Sequence, residues 1–304
     1  QWKRPARDRV KAERQSQAHI TPVGAMEPTI TGAMLTKAKG PELVSHLKKL
    51  SEELEEWEQT EEQDSLKAVA AVLGSAKLLR HRDGDVKLLT ACCLSDVLRI
   101  FAPESPYENE TLKMVFELFI SQLRGLQDDE GASFARYTYL VERLAMVKSF
   151  VLMLDLNFDD LVRQLVEVLL ESASEAHPIR VSGYMMSIIV TTLEELAEDG
   201  IPTPLLDAIL ENLLPARRAE KPASYQLARQ VLERCADDLQ QPLQAFIEGC
   251  LPTGSGMTVE SEIREEWPQL LFELSEIMPE MVTYLLPQLQ GVISSGDEGN
   301  RLQG

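Results

Sequence analysis

The sequence predicts an all-α protein made of stacked helix pairs. Three observations carry this: apolar residues keep a helical period from about residue 41 onward, no stretch alternates as a strand would, and chain-breaking residues return at regular intervals. Leu112, Val115, Phe116, Phe119, Ile120 and Leu123 fall on the i, i+3, i+4 template, as do Leu140, Leu144, Val147, Val151 and Leu154. Each set marks an amphipathic helix with one buried stripe. Helices should stop at Asp83-Gly84, Ala102-Pro103, Asp128 to Gly131, His177-Pro178, Asp199 to Pro204, Pro215, Pro222, Pro242 and Pro252 to Gly256, because proline lacks the donor and clashes inside a helix. Roughly a dozen helices of about 12 to 20 residues result.

Every second helix opens on an apolar residue beside a basic or aromatic one: Val86-Lys87, Ala135-Arg136, Ile179-Arg180, Ser224-Tyr225 and Glu262 to Arg264. The steps from Lys87 to Arg136, Arg180, Tyr225 and Arg264 are 49, 44, 45 and 39 residues. That is the HEAT/armadillo period and not the ~34-residue period of tetratricopeptide arrays. A helix pair cannot bury both faces alone, so pairs stack and share one long core. The expectation is a HEAT/armadillo-like helical-repeat solenoid of about six helix pairs over residues 41–304. A compact four-helix bundle is the alternative, but at this length it would need more than one core and would show no such repeat.

Composition narrows the function. Of 304 residues 44% are apolar, ample for a continuous core, and no apolar run approaches the ~20 residues that span a bilayer. Net charge is −19 and uneven: residues 1–40 hold eight Lys/Arg against three Asp/Glu, the rest 22 against 46. So acidic a body repels phosphate backbones, which argues against direct nucleic-acid binding and for basic segments of protein partners. Residues 1–40 read as a disordered or tag-like basic tail, and the pattern still running at Gly304 reads as a fragment of a longer array. Cys92, Cys93, Cys235 and Cys250 show no metal-site spacing and are expected as buried thiols.

No catalytic constellation emerges, and no cofactor or metal is expected. His19, His46, His81 and His177 each stand alone, read as capping or solvent groups near helix ends or in the tail. The carboxylate runs Glu52-Glu53-Glu55-Glu56, Glu194-Glu195 and Glu265-Glu266 read as solvated helix faces, and Gly254-Ser255-Gly256 lacks phosphate-loop spacing. The chain reads as a non-catalytic, monomeric scaffold.

The most specific segment runs from Asp85 to Tyr107: a helix with a core stripe of Leu89, Cys93, Val97, Ile100 and Phe101, with Lys87, Asp96 and Arg99 off that stripe, then Ala-Pro-Glu-Ser-Pro-Tyr. Two prolines in six residues fix two φ angles and leave an aromatic beside them. Such a loop is preorganised for binding at low entropic cost, although a plain turn between repeats fits the same residues.

Val86 to Tyr107, read as a string, resembles the hallmark of a family of cohesin regulators, the precocious-dissociation-of-sisters protein five family. The likeness continues in Gln122 to Leu126, Arg136 to Glu142, Val147 to Ser149, Leu206 to Pro215 and Leu285 to Leu289. It implies a HEAT-repeat accessory subunit of the cohesin ring, nuclear and chromatin-associated, that tunes sister-chromatid cohesion by recruiting other factors. It also implies that the kleisin subunit is held mainly by a region C-terminal to this segment. In the family, the proline-rich motif docks short Tyr- or Phe-containing motifs of the release factor Wapl and of antagonists such as sororin and haspin. Here the motif maps to Ala102, Pro103, Glu104, Ser105 and Pro106, with Ser105 where many members have Ala. Tyr107, Lys87, Arg99, Tyr139, Glu142 and Lys148 are expected to line the same groove. A generic HEAT-repeat adaptor unrelated to cohesin is the competing reading, and the 102–107 loop is what separates the two.

Overall fold

A computed structural model describes residues 28–59, 64–251 and 263–293. Among the described residues there is no strand and there are sixteen α-helices: α1 (Gly32–Lys37), α2 (Gly40–Glu55), α3 (Asp64–Leu73), α4 (Ala76–Leu79), α5 (Gly84–Phe101), α6 (Asn109–Leu123), α7 (Phe134–Val147), α8 (Val151–Asp155), α9 (Asp159–Glu171), α10 (Ile179–Leu196), α11 (Thr203–Leu210), α12 (Pro215–Glu220), α13 (Pro222–Arg234), α14 (Ala236–Cys250), α15 (Trp267–Ile277) and α16 (Pro279–Ile293). Several are shorter than the pattern predicts, because turns such as Gly74-Ser75 and Lys148 to Phe150 split single apolar runs. The chain forms two compact units, 1–168 and 169–304.

In the first unit α2, α5 and α7 lie side by side and run in the same direction. The Cys93 thiol donates to the Leu47 carbonyl at 3.6 Å, Arg99 reaches the Leu54 carbonyl, and the Cys92 thiol reaches the Arg136 carbonyl at 3.7 Å. Each of these links joins residues 44 to 46 apart, so the sequence period is the distance between stacked equivalents. Helices α3, α4 and α6 pack against α5. Asp83 caps α5 by accepting from the Val86 amide at 3.1 Å. With α2 on one side and α7 on the other, fourteen of its eighteen residues are buried.

The second unit repeats the arrangement. Helix α13 packs against α10 and α15, and Ser224 donates to the Leu170 carbonyl at 2.7 Å. Here Tyr225 donates to buried Glu273 at 2.8 Å, while Arg218 stacks 4.7 Å from the Tyr225 ring and reaches the same carboxylate at 3.3 Å. Arg229 donates to the Tyr225 hydroxyl and pairs with Glu276, both at 3.2 Å.

Several expectations give way. Packing begins before residue 41: Thr31 caps α1, and Ile30 and Leu35 are buried, with α1 set against α3. Pro242 does not end a helix but is the seventh residue of α14, where the helix gives up one internal hydrogen bond and runs on. Glu195 is buried instead of solvated, His46 lies within α2, and His177 is buried. All four cysteines are buried, and burial pushes the Cys92 and Cys235 thiols up to about 12. The tail to residue 25, including His19, and the segments Pro252 to Gly256 and Glu262 lie outside the described residues.

Candidate functional site

The loop between α5 and α6 is held from three directions. At its start, the Gln59 amide donates to the Arg99 carbonyl at 2.9 Å and to the Ala102 carbonyl at 3.5 Å. At its end, the Tyr107 hydroxyl donates to the Ala70 carbonyl at 3.0 Å, and the ring covers Gly74 so closely that a Cβ there would meet it at 2.7 Å. Within it, the Tyr107 amide donates to Ser105 Oγ at 3.1 Å. The Ala102–Pro103 peptide is cis. Pro103 and Glu104 stay exposed at the crest, and Ser105 and Pro106 are half-buried.

Below the loop sits a buried carboxylate. Asp96 is fully buried, so it does not lie off the core as its sequence context predicts: it faces α7, where the neighbouring repeat removes it from water. Tyr139 donates to its Oδ2 at 2.6 Å, Arg99 Nε to its Oδ1 at 3.2 Å, and Arg143 pairs with it at 3.4 Å. Burial pushes its pKa above the usual carboxylate value, while the Tyr139 hydroxyl and the two guanidinium groups pull it back. The remaining Arg99 donors go to the Trp57 carbonyl at 2.6 Å and the Leu54 carbonyl at 2.8 Å, satisfying carbonyls in the last turn of α2 and just past its end. Arg143 stacks 4.8 Å from the Tyr139 ring and reaches Glu55 at 3.6 Å.

Of the residues named from sequence, the structure gathers Ala102 to Tyr107, Arg99 and Tyr139 into one connected arrangement. Glu142 lies beside Arg143 in α7, half-buried, and Lys148 is the left-handed C-cap of α7, at the loop's end of the stack. Lys87 stands apart, twelve residues and about 18 Å along α5 from Arg99. Reasoning from sequence missed Gln59, Asp96 and Arg143 as members. Two signals were there to read: the i, i+3 pair Asp96/Arg99 and the i, i+4 pair Tyr139/Arg143, one repeat apart.

The described residues hold no group of three His, Cys, Asp or Glu side chains placed for a metal ion, and no helix long and apolar enough to cross a membrane. Parallel stacked helices carrying an exposed loop at one end define a helical-repeat protein. Residues 41–304 match the family described as Sister chromatid cohesion protein PDS5 protein, and the chain belongs to it. It is 35% identical over 237 residues to Sister chromatid cohesion protein PDS5 homolog A of Danio rerio, covering 77% of this chain and 18% of that protein. It is 33% identical over 271 residues to homolog B-B of Xenopus laevis, covering 88% and 18%. The chain thus spans under a fifth of the length of these relatives. A solved structure described as that of the Pds5-Scc1 complex superposes with a TM-score of 0.69 at 24% identity, over 88% of this chain and 41% of that one, which supports the all-α repeat fold.

Proposed function

We propose that this chain is a cohesin-associated scaffold, without catalytic activity of its own, that regulates sister-chromatid cohesion in the nucleus by docking short aromatic motifs on the Ala102–Tyr107 loop. Family membership supports the cohesin role. The observation that carries the docking site is a loop fixed by Gln59, Arg99 and Tyr107 from below while Pro103 and Glu104 face outward. A rigid receptor loses little entropy on binding, and an exposed carboxylate beside apolar prolines suits a motif that pairs an aromatic anchor with a cation. Motifs of Wapl-type release factors and of sororin- or haspin-type antagonists have that chemistry, so they would compete for one site. The relative named for a complex with Scc1 supports kleisin as a further partner of the longer protein.

Fluorescence anisotropy with a Tyr-Ser-Arg peptide tests this. The 304-residue chain should bind it with micromolar affinity, on the order of 8 kcal/mol, and Pro103→Ala/Glu104→Lys should abolish binding with the fold intact by circular dichroism. No binding by the folded wild type sinks the docking reading.

A further inference from the structure

We propose that Ser105 is a phosphoacceptor for proline-directed protein kinases and that its phosphate recaps α6. Ser105 is followed by Pro106, and proline disfavours helical backbone in the residue before it, leaving the extended form a kinase cleft accepts. The other such pair among the described residues, Thr203-Pro204, opens α11, so Thr203 is held in a helical turn. The structure therefore separates two equivalent dipeptides: one lies in a loop, the other is locked in a helix.

The receiving geometry is also present. Ser105 Oγ already accepts from the Tyr107 amide, so it points along the chain toward the start of α6. That fifteen-residue helix begins without a side-chain cap: its N-cap, Glu108, makes no side-chain cap hydrogen bond, and the first amides of a helix have no partner within it. A phosphate on Oγ carries about −1.5 to −2 charges and three strong acceptors, and the helix dipole favours a negative group there. Exposed Glu104, Glu108 and first-turn Glu110 oppose it by like charge, at solvated positions where repulsion is screened. In the transfer, Oγ attacks the γ-phosphorus of ATP. The Oγ–P bond forms as the bond to the bridging oxygen breaks, ADP leaves with the electron pair, and the hydroxyl proton passes to the kinase base.

This inference stands whether or not the loop docks a motif. The test treats the 304-residue chain, Ser105→Ala and Thr203→Ala with ATP and a proline-directed kinase, maps sites by mass spectrometry, and follows amide exchange over residues 109–111. Phosphate should appear at Ser105 in the wild type and in Thr203→Ala and vanish in Ser105→Ala, with exchange slowed several-fold in the modified chain. A folded chain left unmodified at Ser105, under conditions that modify a peptide spanning Arg99 to Thr111, overturns the acceptor assignment. Unchanged or faster exchange after modification overturns the recapping.

Discussion

Both units bury a carboxylate under a tyrosine hydroxyl and a stacked arginine, yet the two clusters are wired differently. In the first, the acid sits on α5 and the tyrosine one repeat later on α7, whereas in the second the tyrosine sits on α13 and the acid follows on α15. Around Glu273 the ties run between side chains, and the Arg218 side chain is 56% exposed. Around Asp96, Arg99 passes the interaction on to the Leu54 and Trp57 carbonyls, and Gln59 carries it to the backbone entering the loop. The same local chemistry therefore staples two helices in one unit and shapes a surface loop in the other.

Mutations should separate these roles. The largest loss falls on Asp96→Ala, which strands two guanidinium groups and a tyrosine hydroxyl around a fully buried position: about 3–5 kcal/mol by denaturant unfolding. Glu273→Ala should cost less, about 2 kcal/mol, because Arg218 can turn to solvent. Equal costs would erase the contrast. Arg99→Lys should cost about 1.5 kcal/mol, since an ammonium cannot span Asp96 and both carbonyls, and it should speed amide exchange in the 102–107 loop. Arg218→Lys should leave that loop unchanged. Tyr107→Phe removes one hydrogen bond, for about 1 kcal/mol.

The smallest effect is a pH dependence. Because the folded state raises the Asp96 pKa above 3.8, the folded chain holds the proton more tightly than the unfolded one. The associated stability is complete below 3.8 and is lost as pH rises through the folded pKa. The gap between wild type and Asp96→Asn should therefore narrow as pH is raised from about 4 to about 7, and a gap that widens contradicts the assignment.

Apolar period and break spacing reveal the helices and their stacking because both reflect burial, which repeats at each pair. The links Cys93 to Leu47 and Cys92 to Arg136 are that period made physical. The wiring is hidden for the opposite reason. An aspartate off the apolar stripe reads as solvated, and only the neighbouring repeat, packed on that face, turns Asp96 into a buried anchor. Proline is equally ambiguous at Pro242, which lies in the middle of α14 and costs it one internal hydrogen bond without ending it. The 102–107 loop is legible as rigid from its prolines, but the inward set of Tyr107 depends on Gly74, thirty-three residues away and silent in any periodicity.

That glycine gives the loop a remote point of failure. Any side chain at position 74 would strike the tyrosine ring with the first carbon it adds, levering the ring off its seat from a turn far earlier in the chain. A genetic screen for variants with a misplaced loop would therefore return residue 74 beside the loop itself. Such an allele would pass for a surface change.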